Sequence, residues 1–278
     1  MTYNVLWGGV GRETLIVDVV AAIRPDIAVF TEASDSESFN TIARAVGPHR
    51  ADAGGRKEFP AVVSRWPIVE AERYGPPWAR QKWIAATIHP FSGPSVTVHG
   101  IHLVAQPLWP FEICRRIEVG SLLGRLRKDR AAHHVVAGDF NALTRGETQK
   151  SGKAPIWIRA QSWLQLGFDA RWSLHRLTGD GYVDCYRACH PAEAGFTVPP
   201  WDPSVRIDYV YASAGLSAAL RAAGTLDPGP TGESPRRSLA QLLGRAPVTS
   251  LGGYPSDHLP VWADFEWSGD PEGPAGAV

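Results

Sequence analysis

What most narrows the fold of this chain is the order in which its hydrophobic periods arrive. The opening TYNVLW is rich in strand-forming residues. ETLIVDVVAAI follows, with Leu15, Ile16, Val19, Val20 and Ile23 at helical spacing. PDIAVFTEA then gives a short apolar run after Pro25, the pattern of a buried strand. SDSESFNTIARAVG reads as a second helix, opened by the capping residues Ser34 and Asp35 and ended at Gly47. Strand, helix, strand, helix is the signature of an α/β fold.

Beyond residue 58 strands dominate. EFPAVVSRWPIVEAERY reads as two strands broken at Trp66-Pro67, and KWIAATIH and SVTVHGIHL as a pair around a Pro90–Pro94 turn. HHVVAGDFN is a strand ending in a polar turn, and RIDYVYAS is a later strand. LSAALRAAGTL reads as a strand with a helix as the alternative. FEICRRIEVGSLLGRLRK is the clearest amphipathic helix, with Ile113, Ile117, Leu122 and Leu126 near one face. APIWIRAQSWLQLG is expected to be helical, and DCYRACHP a short helix stopped by Pro191.

A chain of 278 residues with 44% hydrophobic side chains has enough material for a sizeable core. One domain over residues 1–267 is the economical reading, with 268–278 a disordered tail. Asp227 to Ser256 is rich in Pro, Gly and Ser and contains only the weak helix RRSLAQLLG; its length favours a lid or a mobile loop. The 28 basic and 28 acidic residues balance, which argues against binding nucleic acid through a broad basic face but leaves room for a local groove.

Three cysteines form no disulfide framework, so a reducing, cytoplasmic setting is expected. Cys185, Cys189 and His190 lack the close pairing of zinc ligands, and a buried helical turn is the better reading. No run of about 18 apolar residues marks a membrane span. The opening MTYNVLWGG has no charged and apolar leader pattern, so no signal peptide is expected.

The informative pattern lies at the strand ends. Asn4 sits in the first strand, Glu32 closes the second and His102 closes SVTVHGIHL. Asp139 and Asn141 close HHVVAGDFN, Asp208 lies within RIDYVY, and Asp257 and His258 open the last strand. One polar strand end is unremarkable, because Asp and Asn suit turns. Six of them, carrying acids, amides and two imidazoles, point to a convergent site. Carboxylate and amide oxygens suit Mg²⁺ or Mn²⁺, and an imidazole serves as acid, base or charge stabiliser. No Gly-x-Ser-x-Gly nucleophile motif is present, which fits attack by metal-activated water on phosphorus.

TYNV, FTEA, GIHL, GDFN, RIDYV and SDHLPV, in that order, resemble the endonuclease/exonuclease/phosphatase superfamily of DNase I-like fold, over Thr2 to Glu266. The resemblance implies a four-layered α/β/β/α sandwich of two packed mixed sheets, with the site at one sheet edge. It implies Glu32 as the principal metal ligand, with Asn4 and Asp257 near the metal. Asp139 would position or activate water, and Asn141 would hold the phosphate or that water. His258 would be the base or phosphate-stabilising imidazole, oriented by Asp208, and His102 would donate to a phosphate oxygen. Leu6 stands where many apurinic-site and tyrosyl-DNA members carry an acid, and Thr31 where a Gln often precedes the Glu. Both departures point away from a DNA-repair subfamily.

Weighed singly, Asn4 reads as a strand-end hydrogen bonder and Asp208 as a salt-bridge partner of Arg206. Glu58 is either an acid orienting His102 or a solvated loop residue. His99, His133 and His134 are expected to be pairing or surface residues. Trp109 and Trp201, in Pro-rich loops, are candidate substrate platforms, and PRRS at 235–238 is a candidate phosphate clamp or a solvated turn. The expected function is a monomeric Mg²⁺- or Mn²⁺-dependent phosphoester hydrolase, with a nuclease-type phosphodiester, and so nucleic acid, as preferred substrate. The alternatives are a phosphatase or phospholipase C-like hydrolase of a small or lipid phosphoester, a tailoring enzyme using this site on an unusual substrate, and a non-catalytic binding module.

Overall fold

In a computed structural model, two six-stranded sheets pack face to face. The residues described are 1–55, 58–79, 82–91, 93–105, 109–129, 133–144, 146–147, 171–229 and 253–266. The first sheet is built around a parallel pair, β1 (Thr2–Asn4) and β2 (Ile27–Ala33), joined through α1 (Glu13–Ile23). β4 (Phe59–Ser64) and β3 (His49–Asp52) extend it antiparallel beyond β2. β12 (Val261–Phe265) and β11 (Leu220–Thr225) extend it antiparallel beyond β1.

The second sheet repeats the plan. Its parallel pair is β7 (Val96–His102) and β8 (His134–Asp139), with α3 (Trp109–Leu126) between them in sequence. β6 (Trp83–Ile88) and β5 (Ile68–Tyr74) flank β7, while β10 (Asp208–Ala212) and β9 (Val183–Asp184) flank β8. Parallel neighbours need a crossover, and a helix is the usual one. Both helix-bearing crossovers therefore leave from the same kind of place, the C-terminal end of a central strand.

Val29 and Val62 of the first sheet face Gly100 of the second. Val98, Ala137 and Val210 join them in the shared core, each at most 3% exposed. α1 and α2 (Glu37–Val46) pack on the other side of the first sheet, where the rings of Phe30 and Phe39 meet edge to face at 5.5 Å. Covered on both sides, β2 and β4 read as nearly continuous apolar runs instead of alternating ones. Edge strand β5 carries Glu70, Glu72 and Arg73 toward water, which discourages further pairing.

Several expectations are corrected. The cap of α2 is Ser36, whose hydroxyl accepts from Phe39 N–H, and not Ser34 or Asp35. In α3 the buried face is Val119, Leu122, Leu123 and Leu126, while Ile113 and Ile117 are exposed. The first half of α3 instead buries charge. Glu112 Oε1 accepts from Trp172 N–H, Ser173 N–H and Ser173 Oγ, all at 2.8 Å, and its Oε2 from Arg115 Nε. Of the pairing and surface readings for His99 and His134, pairing holds: both are buried, His99 against Tyr74 Oη and His134 against Tyr182 Oη. LSAALRAAGTL divides into a short helix, α6 (Ala214–Ser217), and β11. α4 (His175–Gly179) and α5 (Cys185–Cys189) precede it, and α5 matches the helical turn expected there. Cys114, Cys185 and Cys189 are all free. The helix expected in APIWIRAQSWLQLG, residues 230–252 with RRSLAQLLG and PRRS, the tail 268–278 and the side chain of Trp109 lie outside the described residues. Among the described residues, no helix is long and apolar enough to cross a membrane.

Candidate active site

The strand directions bring the polar ends together. Asn4 ends β1 and His102 and Asp139 end the parallel pair β7 and β8, so all three leave their sheets at one edge. β10 is antiparallel to β8, and its first residue, Asp208, lies in register with Asp139. Asp257 and His258 lie just before β12, which runs antiparallel beside β1. His102 shares a face with Val98 and Gly100, toward the opposite sheet, as the two-residue period requires.

Two local devices aim the side chains. The β2–β4 register slips between Phe30 and Ala33, and Glu32 sits in that bulge with φ 55°. A bulge inserts an unpaired residue and re-aims its side chain. In GDFN, Gly138 has φ 149°, and a Cβ there would lie 1.9 Å from the Ile101 carbonyl oxygen. Only glycine lets β7 and β8 approach so closely where they deliver His102 and Asp139.

Asp139 is the hub. Its Oδ2 accepts from Asn4 Nδ2 at 3.1 Å and faces the Nε2 atoms of His102 at 3.6 Å and His258 at 3.8 Å. Its Oδ1 accepts from Asn141 N–H at 2.9 Å. Asn141, also left-handed at φ 48°, donates its side-chain amide to Leu103 O. Asn4 bridges the two sheets, because the same Nδ2 reaches Glu32 Oε1 at 3.1 Å. Its amide oxygen accepts from Leu6 N–H at 2.9 Å, which fixes which way the amide points. Asn4 thus presents N–H groups to both carboxylates. Trp7 N–H donates to Glu32 Oε2 at 3.2 Å.

His258 stands between acids. Its Nδ1 lies 2.8 Å from Asp208 Oδ2. Burial alone disfavours the imidazolium, but Asp208 and then Asp139 outweigh it and hold His258 well above the ordinary imidazole range. Asp208 is therefore no partner of Arg206, which turns away to Asp184 at 2.9 and 2.7 Å and to Glu147. Glu58 makes no hydrogen bond or ion pair to His102 among the described residues.

The donor set fits a hard divalent cation. Burial pushes the Glu32 carboxyl above its ordinary range, and the charge of Asp257 adds to this against the pull of His102 and Asn4. Neighbouring half-buried carboxylates that repel one another are relieved by a cation. Among the described residues one trio, Asp139, Asp208 and His258, has ligand atoms within 4.8 Å of one another. Its imidazole is already tied to Asp208, which favours the protonated ring, whereas a metal-binding imidazole must be neutral.

Sequence reading passed over three residues. Ser256 Oγ donates to Asn4 O at 2.6 Å and ties the final loop to β1. Arg12, 3% exposed, lies behind the same loops. Tyr254 packs with Leu6 and Trp7 in a small apolar cluster of its own, and Trp201 meets Tyr254 at a ring separation of 6.4 Å. Ser256 stands within the SDHLPV motif; nothing in the residues around Arg12 or Tyr254 signals a role.

No curated protein matches the sequence. Solved structures match over nearly the whole chain. A 3′ phosphatase, NExo, from Neisseria bound to a product DNA hairpin is 23% identical, with 96% of this chain and 98% of that chain covered and a TM-score of 0.69. The AP endonuclease from Archaeoglobus fulgidus is 19% identical over 95% and 98%, with a TM-score of 0.67. Humanized D. rerio TDP2 is 16% identical over 95% and 97%, with a TM-score of 0.66. At these identities the likeness establishes the DNase I-like α/β sandwich. A model of the endonuclease/exonuclease/phosphatase family matches residues 1–258. The chain belongs to this family of phosphoester hydrolases.

Proposed function

We propose that the chain is a phosphodiesterase of nuclease type, dependent on Mg²⁺ or Mn²⁺. The observation that carries this reading is the convergence of Asn4, Glu32, His102, Asp139, Asp208 and His258 on one edge of two sheets. Glu32 and Asp257 would hold the cation. Bound there, it would neutralise charge on the phosphoryl oxygens and favour ionisation of the attacking water.

The chain's own groups do the rest. Asp139 Oδ2 accepts the proton of the attacking water. His258 Nε2–H, kept charged by Asp208, stabilises the charge that builds on the phosphoryl group. Asp208 holds the imidazole with Nδ1–H toward itself and Nε2–H toward the substrate. His102 donates a second hydrogen bond to a phosphoryl oxygen. Asn4 keeps Glu32 and Asp139 at a fixed separation, and Asn141 braces Asp139 through its backbone N–H. Residues 1–267 act as one domain, and the six convergent residues all come from one chain, which fits a monomer. The free cysteines fit a reducing cytoplasm.

Nucleic acid is the favoured substrate. The NExo neighbour is described with a product DNA hairpin, and Trp201, 38% exposed beside Tyr254, offers a ring to stack on. Zero net charge favours the second reading, hydrolysis of a small or lipid phosphoester. A panel of bis-p-nitrophenyl phosphate, p-nitrophenyl phosphate, plasmid DNA, RNA and sphingomyelin, with Mg²⁺ or Mn²⁺, separates them. Activity on plasmid that falls with added salt supports the nuclease. Wild type, Glu32→Ala and His258→Ala behaving alike on every substrate would refute catalysis at this site.

A further inference from the structure

Arg12 is a buried guanidinium set directly before α1, in the turn that leaves β1. It reaches Val5 and Leu6 on one side and Pro255, 243 residues further along the chain than Arg12, on the other. One terminal nitrogen donates to the Pro255 carbonyl, and the other to the carbonyls of Val5, at 3.0 Å, and Leu6. Among the described residues it forms no direct ion pair with a carboxylate. A charge taken out of water without a contacting counterion is expensive, and such groups persist where something else depends on them.

What depends on Arg12 is the strained loop after β1. Leu6 and Trp7 both have positive φ, at 46° and 53°. Two consecutive bulky residues in the left-handed region are unfavourable and persist only when their surroundings over-determine them. The constraints are visible. Leu6 N–H is held by Asn4 Oδ1, and Leu6 O by Arg12. This conformation delivers Trp7 N–H to Glu32 and leaves the amide of Asn4 turned toward Glu32 and Asp139. On its other side Arg12 holds the peptide just before Ser256, Asp257 and His258. Ser256 Oγ makes a second tie between these segments at Asn4 O.

We propose that Arg12 is a positioning residue that sets the separation of the Glu32 and Asp257 carboxylates by clamping the carbonyls of Val5, Leu6 and Pro255, and so sets how tightly this edge of the fold takes a divalent cation. The proposal rests on the reading of Glu32 and Asp257 as the cation-binding pair. The clamp needs a planar fork with donors in two directions. A lysine keeps the charge but offers a single point of donors.

The test compares wild type with Arg12→Lys and Ser256→Ala. Mn²⁺ binding is followed by electron paramagnetic resonance, beside thermal melts and kcat and KM on bis-p-nitrophenyl phosphate. For Arg12→Lys the expectation is Mn²⁺ binding weakened about tenfold or more, and kcat lowered about tenfold to a hundredfold at saturating Mn²⁺ with KM changed less. Ser256→Ala should show the same signature more weakly. A variant that melts earlier yet binds Mn²⁺ as wild type does would make Arg12 a purely structural residue and overturn the proposal. If Arg12→Lys does not fold, Ser256→Ala decides alone, and unchanged Mn²⁺ binding there overturns it. Wild type that binds Mn²⁺ but hydrolyses none of the substrates would instead refute the phosphodiesterase reading, leaving the clamp to be judged on binding.

Discussion

His258 and Asp208, fifty residues apart in sequence, share a buried hydrogen bond of 2.8 Å between Nδ1 and Oδ2. The imidazole's other nitrogen faces Asp139 across 3.8 Å. Asp208 and Asp139 together keep His258 charged beyond the pH at which a solvated imidazole loses its proton. Catalysis that uses this imidazolium should decline on the alkaline side. Asp208→Asn removes the strongest support for the charge, so the alkaline limb of the pH–rate profile should move to lower pH, by about one unit or more. His258→Ala should lower kcat by about a hundredfold or more. An alkaline limb that stays in place in Asp208→Asn would show that the pair does not control the reaction.

Glu32 leads to a prediction about cation binding. Burial, then Asp257, raises its carboxyl above the ordinary range, so it takes up a proton at a higher pH than a surface glutamate does. Protons and cations then compete for it. The half-saturating Mg²⁺ concentration should rise as pH is lowered through the range where Glu32 protonates. Glu32→Ala should lose about a hundredfold or more in rate and lose the thermal stabilisation that Mg²⁺ gives wild type. Mg²⁺ titrations at several pH values, read by activity and by melting, check both.

These two residues also show how far the sequence could be read. The residue types at the strand ends were legible because apolar strands ending in acids, amides and imidazoles recur along the chain. Their partners were not. Nothing local says that Glu32 sits in a bulge, since the register slip depends on β4, thirty residues on. The pairing of Asp208 with His258 instead of Arg206 depends on Asp184 capturing the arginine. Arg12 acts through carbonyls of distant segments, and contacts to backbone leave no mark in the partner's residue type. His99 and His134 are pairing residues, each with a tyrosine hydroxyl, but alternation reports only that a strand has two faces and not that theirs is buried.

His99 gives a stability prediction of opposite sign to that expected for His258. His99 Nδ1 bonds to Tyr74 Oη at 2.8 Å, and burial lowers its pKa from 6.5 to about 3. The unfolded chain therefore binds a proton below pH 6.5 that the folded chain refuses. Stability falls as pH drops from 6.5 toward 3, by about 1.4 kcal/mol per pH unit for this one group. His258 does the reverse, its contribution being full below pH 6.5 and lost as pH rises through its elevated value. Urea unfolding at pH 7, 6 and 5 should show wild type losing stability on acidification and His99→Asn losing less. Parallel curves would mean His99 is protonated in the fold.

Gly138 supports the final prediction, which separates the scaffold from the chemistry. Its φ of 149° and the 1.9 Å approach of a would-be Cβ to Ile101 O lie between the two strands that carry His102 and Asp139. Gly138→Ala cannot be absorbed by a side-chain rotation, because the obstacle is backbone. It must either push β7 from β8 or break their ladder. The expected loss is about 2–4 kcal/mol of stability, with a fall in kcat that added Mg²⁺ does not rescue. Glu32→Ala removes a charged group from beside another carboxylate and leaves the backbone intact, so it should melt at or above the apo wild-type temperature while losing the cation. If Gly138→Ala melts like wild type, β7 and β8 are not held as closely as the geometry of Ile101 and Gly138 requires.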